Sequence, residues 1–353
     1  MTPIIQVGLG GVGRALARQI LAVAPAIRRR YGIDLRYSAL VDSRGAIASD
    51  PALSEAQVHQ ALTVKEAGGS LDNISGAITD RHWIELLPAA TAIVVDVTAT
   101  SGQAAPLAAA VSAGHRVVLA NKRPLCEGYD LFAALTERGA TRYEATVGAG
   151  LPVISVLQSL LDSGDEVLRI EAALSGTLSF LMSELEAGRG FAAAVRTAYQ
   201  IGYTEPDPRD DLSGVDVARK ALILARTCGQ HLPADAVTAE SLFPAHLATV
   251  SVAEFLDRLD EAETPIMQRL AAAHAAGHTL RYLTRITPEH VEVGLHEVPA
   301  DHPLASLRGP DNLISFTTRR YHDRPLVVRG PGAGVEVTAA GVLSDIIATA
   351  REL

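Results

Sequence analysis

The beginning of the chain joins a short, mostly apolar run to a glycine-rich turn and a helical stretch. Gly8, Gly10 and Gly13 follow residues 4–7 in the spacing GxGxxG, and residues 12–30 form the helical stretch. Glycines at such a turn let the backbone approach a pyrophosphate, whose charge faces the positive end of the helix. The succession of strand, turn and helix therefore predicts the first part of a dinucleotide-binding sheet.

A second strand is predicted over residues 35–41, and it ends at Asp42. An acid at this strand end suits the two ribose hydroxyls of NAD, whereas a nearby arginine, here Arg44, suits the additional phosphate of NADP. Both residue types are present, so the sequence leaves the choice between NAD and NADP open. Residues 46–90 are predicted to form a loop-and-helix insertion with no specific chemistry.

Two further buried strands, over residues 92–97 and 116–120, flank a helix predicted over residues 103–113. This βαβ order is typical of a doubly wound sheet, in which ligands lie beyond the carboxyl ends of the strands. Thr98, Asn121 and Lys122 follow these strands and should face the same crevice. A lysine there can present a positive charge or a proton to a carbonyl oxygen, although it can equally be a solvated loop residue.

Composition agrees with an α/β protein. The chain has 353 residues, of which 48% are hydrophobic and 4% aromatic, so Ala, Val, Leu and Ile must build the core of what length suggests are two domains. A net charge of -9 argues against a nucleic-acid or anionic-membrane partner. The two cysteines, Cys126 and Cys228, lack metal-binding spacing, which predicts a reduced, cytoplasmic protein.

A strand predicted over residues 141–145 leads into a loop that we expect to link the two domains. Glu144 begins this loop, and Pro152 is predicted to occupy the first position of the next helix. A glutamate followed by bends that direct backbone carbonyls inward can hold a hard cation such as sodium. A plain linking loop explains the spacing equally well.

The second half contains two features that point to a polar ligand. Residues 175–177 form a turn between a predicted strand and a helix, where backbone N–H groups can bind a carboxylate. Residues 202–220 read GYTEPDPRDDLSGVDVARK, in which Asp211 or Ser213 is predicted to cap a helix. On that helix Asp216 and Lys220 are four residues apart and share a face. Taken alone, the stretch also fits a solvated acidic loop with a surface ion pair.

Short strands alternate with turns between residues 279 and 329, which predicts an antiparallel extension of the second domain's sheet. The chain ends in a glycine-rich turn followed by one helix, with Gly334 in the turn. This turn predicts a second backbone site for the cofactor and a return of the chain to the first domain.

The motifs occur together in an order that resembles the homoserine dehydrogenase family. They are the N-terminal GxGxxG, ANK at 120–122, EATVGAGLPVI at 144–154, SGTLSF at 175–180, the charged stretch 202–220 and the closing GAG turn. The resemblance implies a Rossmann-type doubly wound parallel sheet in residues 1–146 and 331–353. It implies an α+β substrate-binding and dimerisation domain in residues 147–330. Because the chain ends at Leu353, it resembles the short monofunctional form without an aspartate kinase or ACT domain.

The resemblance also implies an activity and roles for individual residues. Members reduce L-aspartate 4-semialdehyde reversibly to L-homoserine with NAD(P), in threonine, methionine and isoleucine biosynthesis, and they form homodimers. Lys122 and Lys220 match the lysines near the reacting oxygen, with Asp216 orienting Lys220; which lysine delivers the proton stays open. The other matched positions are Gly176, Thr177, Glu205 and Asp211 for the substrate, Gly8, Gly10, Gly11, Val12, Gly13, Asp42, Ser43, Arg44, Thr98, Lys122 and Gly334 for the cofactor, and Glu144 with the carbonyls of Val147, Ala149 and Leu151 for a sodium ion.

Two other functions fit parts of the pattern. Another NAD(P)-dependent semialdehyde or amino-acid oxidoreductase would share the nucleotide motif. A non-catalytic NAD(P)-binding sensor would share it too, but such a protein would be expected to lose the cluster of acids and lysines. That cluster is intact here.

Overall fold

The computed structural model describes residues 1–353, and contacts within the chain separate it into two units. The first unit consists of Met1–Gly150 and Ala333–Leu353. The second unit consists of Leu151–Gly332. No helix is both long and apolar enough to cross a membrane.

A six-stranded sheet forms the centre of the first unit, in the order β3-β2-β1-β4-β5-β6. All neighbouring strands are parallel except β3, which pairs antiparallel with β2. The strands are β1 (Thr2–Val7), β2 (Leu35–Val41), β3 (Ala46–Ala48), β4 (Ile93–Asp96), β5 (Arg116–Leu119) and β6 (Thr141–Arg142). The sheet reverses its strand order between β1 and β4, which in doubly wound sheets marks the ligand crevice.

Helices connect and cover these strands. They are α1 (Gly11–Tyr31), α2 (Glu55–Glu66), α3 (Ala104–Ser112), α4 (Arg123–Cys126) and α5 (Tyr129–Thr136). All residues of β4 are buried, as expected for a central parallel strand covered on both faces. The predicted doubly wound α/β class is therefore confirmed, whereas β3, α4 and α5 were not predicted.

An antiparallel five-stranded sheet forms the second unit, in the order β11-β10-β7-β8-β9. Its strands are β7 (Val167–Ala173), β8 (His278–Ile286), β9 (Val291–Pro299), β10 (Asp311–Thr318) and β11 (Leu326–Pro331). Its helices are α6 (Ile154–Asp162), α7 (Gly176–Glu186), α8 (Phe191–Gln200), α9 (Pro208–Leu212), α10 (Val215–Thr227), α11 (Val252–Asp257) and α12 (Asp260–Ala275). The predicted antiparallel strands are present.

The last helix, α13 (Val335–Ala350), belongs to the first unit and packs against α1. Gly341 on α13 lies against the loop around Ala149, because a Cβ at Gly341 would approach the Ala149 carbonyl oxygen to 2.7 Å. The chain thus returns to the first unit after completing the second.

Two predicted helix starts are wrong. Helix α6 begins at Ile154 rather than at Pro152. Helix α10 is capped by Gly214, at φ 68°, and neither Asp211 nor Ser213 caps it. The reason is a separate short helix, α9, that occupies the segment just before Gly214, so the chain must reverse through a left-handed residue before α10 starts.

Candidate active site

The glycine turn after β1 needs glycine at two positions. Gly8 has φ 107°, and a Cβ at Gly13 would lie 2.2 Å from the Gly8 carbonyl oxygen. Gly10 caps α1, and no side chain accepts a hydrogen bond from the first turn of that helix. The turn thus leaves a helix start suited to an anionic group.

A buried glutamine side chain holds this turn through two hydrogen bonds to its backbone. Gln6 is fully buried in β1, and its Nε2 donates to the carbonyl oxygens of Gly8 and Gly13, both at 2.9 Å. The Tyr37 hydroxyl donates to Gln6 Oε1 at 2.7 Å. Neither residue was singled out from the sequence, although a polar residue within the apolar run of β1 was the available signal.

Asp42 follows β2, and its carboxylate accepts four hydrogen bonds from the protein. Oδ1 accepts from the amides of Arg44 and Gly45, and Oδ2 accepts from Lys65 Nζ at 2.7 Å and from the Leu71 amide. Burial raises the pKa of Asp42, but these hydrogen bonds outweigh it and hold the pKa below its usual value. The carboxylate is therefore ionised and its acceptor positions are filled.

Positive charge surrounds this strand end. Arg44 is exposed, and the Lys65 side chain, on α2, is 17% exposed beside Asp42. Lys65 was not predicted as a site residue because it lies far along the chain from Asp42. Lys65, Lys122 and Lys220 are the three lysines of this chain.

The carboxyl ends of β4 and β5 bring Thr98 and Lys122 to the same edge of the sheet. A Cβ at Gly8 would lie 3.0 Å from Thr98 Cγ2, so the glycine turn and Thr98 are neighbours. Lys122 is the capping residue of α4. The structure therefore places three predicted cofactor residues around the point where the strand order reverses.

The loop after β6 contains a buried carboxyl pair. Glu144 is buried, and its amide donates to Asp345 Oδ2 on α13 at 2.8 Å. Burial, and then the charge of Glu144, raise the pKa of Asp345 to about 7, although the Glu144 amide opposes this. Gly148 and Ala149 both have positive φ, 87° and 56°, which bends the backbone sharply just after Val147.

In the second unit, Lys220 is held at the end of β7. It lies on α10 with 9% of its surface exposed, and its Nζ donates to the Leu174 carbonyl oxygen at 2.6 Å. Asp216 Oδ2 lies 2.9 Å from the same nitrogen. The predicted pair on one helical face is present, and it is a partly buried pair rather than a surface one.

Gly214 sets the position of this helix. A Cβ there would approach the Tyr282 hydroxyl oxygen to 2.0 Å, and the backbone has φ 68°. We expect Gly214→Ala to lower the free energy of unfolding by about 1–3 kcal/mol, because it adds both overlap and backbone strain. Denaturant unfolding of the variant measures this. Gly229→Ala is the control for backbone strain alone, because Gly229 has φ 89° and no atom lies near the position of its Cβ. If both variants lose the same free energy of unfolding, steric overlap with Tyr282 does not contribute.

Acids gather beside the turn at the start of α7. Asp211 Oδ2 accepts from the Glu205 amide at 2.8 Å, and the Thr177 hydroxyl donates to the Tyr203 carbonyl oxygen at 2.8 Å. Burial raises the pKa of Asp211, and the charges of Glu205 and Asp216 add to the rise, while the Glu205 amide and Thr177 oppose it. An ammonium group would relieve this repulsion.

The same stretch also contains an acid with a structural role. Asp207 caps α9 through the Arg209 amide and forms an ion pair with the Arg209 side chain at 2.7 Å. The Arg209 guanidinium in turn donates to the carbonyl oxygens of residues 247, 248 and 250. Asp207 thus stabilises the fold of this loop.

Comparison with known proteins identifies the family. Residues 152–347 match the family model described as homoserine dehydrogenase. A homoserine dehydrogenase from Emericella nidulans is 38% identical over 367 residues, which is 98% of each chain. A hyperthermophilic archaeal homoserine dehydrogenase, solved in complex with NADPH, superposes with a TM-score of 0.74 at 26% identity and covers 100% of this chain and 98% of its own.

Longer relatives match as well. The bifunctional aspartokinase/homoserine dehydrogenase 1 of Zea mays is 39% identical over 350 residues. The match covers 97% of this chain and 37% of that protein, so the chain spans little more than a third of such a relative. Together with the family model and the full-length fungal relative, these matches show that the chain belongs to the homoserine dehydrogenase family.

Proposed function

We propose that the chain interconverts L-aspartate 4-semialdehyde and L-homoserine with NAD(P)H as hydride donor. The observation that carries the proposal is the arrangement around Lys220: a buried ammonium held by a carbonyl and an acid, next to two further acids and a helix start. This set offers a proton donor, an ammonium site and a carboxylate site, which an amino-acid aldehyde requires. The fungal relative bears the name homoserine dehydrogenase.

Lys220 acts on the reacting oxygen. When bound, NAD(P)H supplies a hydride to the aldehyde carbon, and the oxygen takes up the electron pair of the C=O π bond. The Lys220 ammonium stabilises that developing charge and transfers one proton to the oxygen, which gives the alcohol. Asp216 and the Leu174 carbonyl hold Lys220 in place, so that its geometry is set before the substrate arrives. Solvent then returns the proton to Lys220.

The remaining charged groups bind the two ends of the substrate. Asp211 and Glu205 accept hydrogen bonds from its α-ammonium, and charge-assisted bonds of this kind are stronger than neutral ones. The first-turn amides of α7, at Gly176 and Thr177, bind its carboxylate. Gly176 leaves little room for a side chain, since a Cβ would lie 3.0 Å from the Pro310 carbonyl oxygen.

NADP is the proposed cofactor. The acceptor positions of Asp42 are occupied by Lys65 and three backbone amides, which leaves little capacity for ribose hydroxyls. Arg44 and Lys65 instead offer two cations at the same strand end, and cations there suit a 2′-phosphate. The archaeal relative was solved with NADPH. Gly8, Gly10, Gly11, Val12, Gly13, Ser43, Thr98, Lys122 and Gly334 line the remaining proposed cofactor positions.

A steady-state assay tests this proposal. Purified protein is incubated with homoserine and either NADP or NAD at alkaline pH, and with aspartate 4-semialdehyde and NADPH or NADH at neutral pH. We expect turnover in both directions and a higher kcat/KM with the phosphorylated cofactor. Folded protein that turns over neither substrate would refute the activity, and a higher kcat/KM with NAD would refute the cofactor preference.

We further propose that the chain binds a monovalent cation and forms a homodimer. Glu144 and the carbonyls of Val147, Ala149 and Leu151 offer oxygen donors alone, which suits a hard ion such as sodium. The Leu151 carbonyl also accepts the Val153 amide at 2.9 Å, and its second lone pair can still coordinate. Activity measured while NaCl replaces choline chloride at constant ionic strength tests the ion, and no dependence on sodium would contradict that proposal. Light scattering tests the dimer, and the mass of a monomer would contradict it.

A further inference from the structure

A buried amide joins the ends of two neighbouring strands in the first unit. Asn121 and Asp96 are 3% and 1% exposed, at the carboxyl ends of β5 and β4. Asn121 Nδ2 donates to Asp96 Oδ2 and to the Thr100 carbonyl oxygen, both at 2.9 Å. One side chain therefore connects the strand end of β5 to the loop that follows β4.

The other atom of the same amide closes a turn around Lys122. Asn121 Oδ1 accepts from the Arg123 amide at 3.1 Å, which makes Lys122 the central residue of an Asx turn. Asp96 Oδ1 accepts from the Thr98 amide at 2.9 Å in the same way. The backbone positions of Lys122 and Thr98 are thus set by one continuous chain of hydrogen bonds.

The amide of Asn121 fits this place better than a carboxylate would. Its Nδ2 must donate to two acceptors while its Oδ1 accepts, and an ionised carboxylate can only accept. Burial raises the pKa of Asp96, although the hydrogen bonds from Thr98 and Asn121 oppose the rise. A second carboxyl group beside Asp96 would therefore lie next to an acid whose ionised form is already destabilised by burial.

We propose that Asn121, with Asp96 as its partner, is a positioning residue that fixes Lys122 and the Thr98 loop for the reaction. This inference rests on the proposed function, since it assumes that Lys122 and Thr98 contact the cofactor or the substrate. Catalysis is sensitive to such placement, because a shift of about 1 Å can cost about 10²-fold in rate. Neither Asp96 nor Asn121 has to touch the substrate for this effect.

Two variants and a control test the proposal. Asn121→Asp places two carboxyl groups in contact, and the double variant Asp96→Asn/Asn121→Asp exchanges the amide and the acid across the same hydrogen bond. Asn73→Asp makes the same chemical change at an exposed site where Asn73 Oδ1 accepts the Ser70 amide, a role that a carboxylate can keep. Other charged groups near the pair stay in place: Lys122, Arg123, which donates to Ser101 Oγ, and Glu127, which accepts from the Gly102 amide.

The readouts are kcat, the KM for NADPH and the hydrogen exchange of the 96–101 and 121–127 segments, measured from mildly acidic to alkaline pH. We expect Asn121→Asp to lose about 10-fold or more in kcat at neutral pH. The loss should deepen as pH rises, because the carboxyl pair can share one proton only at lower pH. The exchange of the Thr98 and Arg123 amides should accelerate in parallel. The double variant has one carboxyl group, so its pH dependence should return to that of the wild type even though its Thr100 contact stays lost.

The outcomes separate this inference from the proposed activity. An Asn121→Asp protein with wild-type kcat at every pH and unchanged amide exchange overturns the positioning role. Lower thermal stability with unchanged kcat in the folded enzyme also overturns it, since that result assigns the pair to folding alone. A wild type that shows slow exchange at Thr98 and Arg123 but no turnover instead refutes the proposed activity and leaves the hydrogen-bond chain demonstrated.

Discussion

Replacing Lys220 with methionine is expected to lower kcat about 10²-fold or more while the KM for NADPH changes little. General acid catalysis commonly contributes about 10²–10⁴-fold, and this side chain is the buried ammonium that we propose as the proton donor. Methionine preserves the apolar stem of lysine, so the loss reports the ammonium rather than a cavity. Stopped-flow and steady-state rates with aspartate 4-semialdehyde measure the change.

Two further substitutions sharpen this prediction. Lys220→Arg keeps the positive charge but cannot release a proton near neutral pH, so a Lys220→Arg protein as inactive as Lys220→Met assigns proton transfer to Lys220. Arg258→Ala is the control, because it removes an exposed cation that pairs with Glu254 and Glu261 in the same unit. Wild-type turnover by Lys220→Met would remove Lys220 from the mechanism and leave Lys122 as the candidate donor.

The second large effect is expected at the strand end of β2. Arg44→Ala should raise the KM for NADPH about 10- to 100-fold and leave the KM for NADH nearly unchanged, since a charge-assisted hydrogen bond is worth about 1.5–3 kcal/mol. The two cofactors differ by the 2′-phosphate alone, so their ratio isolates that contact. An Arg44→Ala enzyme whose preference matches the wild type would show that Arg44 does not bind the phosphate.

Lys65→Met gives the complementary result. The substitution removes the ion pair of Asp42 and opens one of its four acceptor positions. We therefore expect the KM for NADH to fall relative to that for NADPH, because Asp42 can then accept from a ribose hydroxyl. An unchanged KM for NADH would show that Asp42 only stabilises the turn and does not bind the ribose.

The sequence predicted the parts of the fold that rest on local rules. The GxGxxG spacing predicted the turn because only glycine tolerates the approach of Gly13 to Gly8. The boundaries of β2 were predicted correctly, since turn residues on both sides of this strand end its regular pattern. The pairing of Asp216 with Lys220 follows from helical spacing in the same way.

The features that depend on contacts between distant parts of the chain could not be predicted from the sequence. Asp42 looked like a free acid in the sequence, and its partner Lys65 lies on α2, which no local pattern connects to β2. Gln6 needed the fold to show that it reaches across the turn to Gly13. The need for a glycine at position 214 could not be predicted either, because the obstacle to a side chain there is Tyr282, on a strand far along the chain.

The presence of just three lysines, all at or beside the proposed sites, has a practical consequence for handling the protein. The aliphatic amines with which an amine-selective reagent can react are those of Lys65, Lys122 and Lys220 and the terminal amine. We therefore expect a label on one of these lysines to lower activity through the proposed sites. Coupling through an added terminal tag avoids these three lysines. Under the proposed roles, NADPH would shield Lys65 and homoserine would shield Lys220 from such reagents, and mass spectrometry can read each lysine separately.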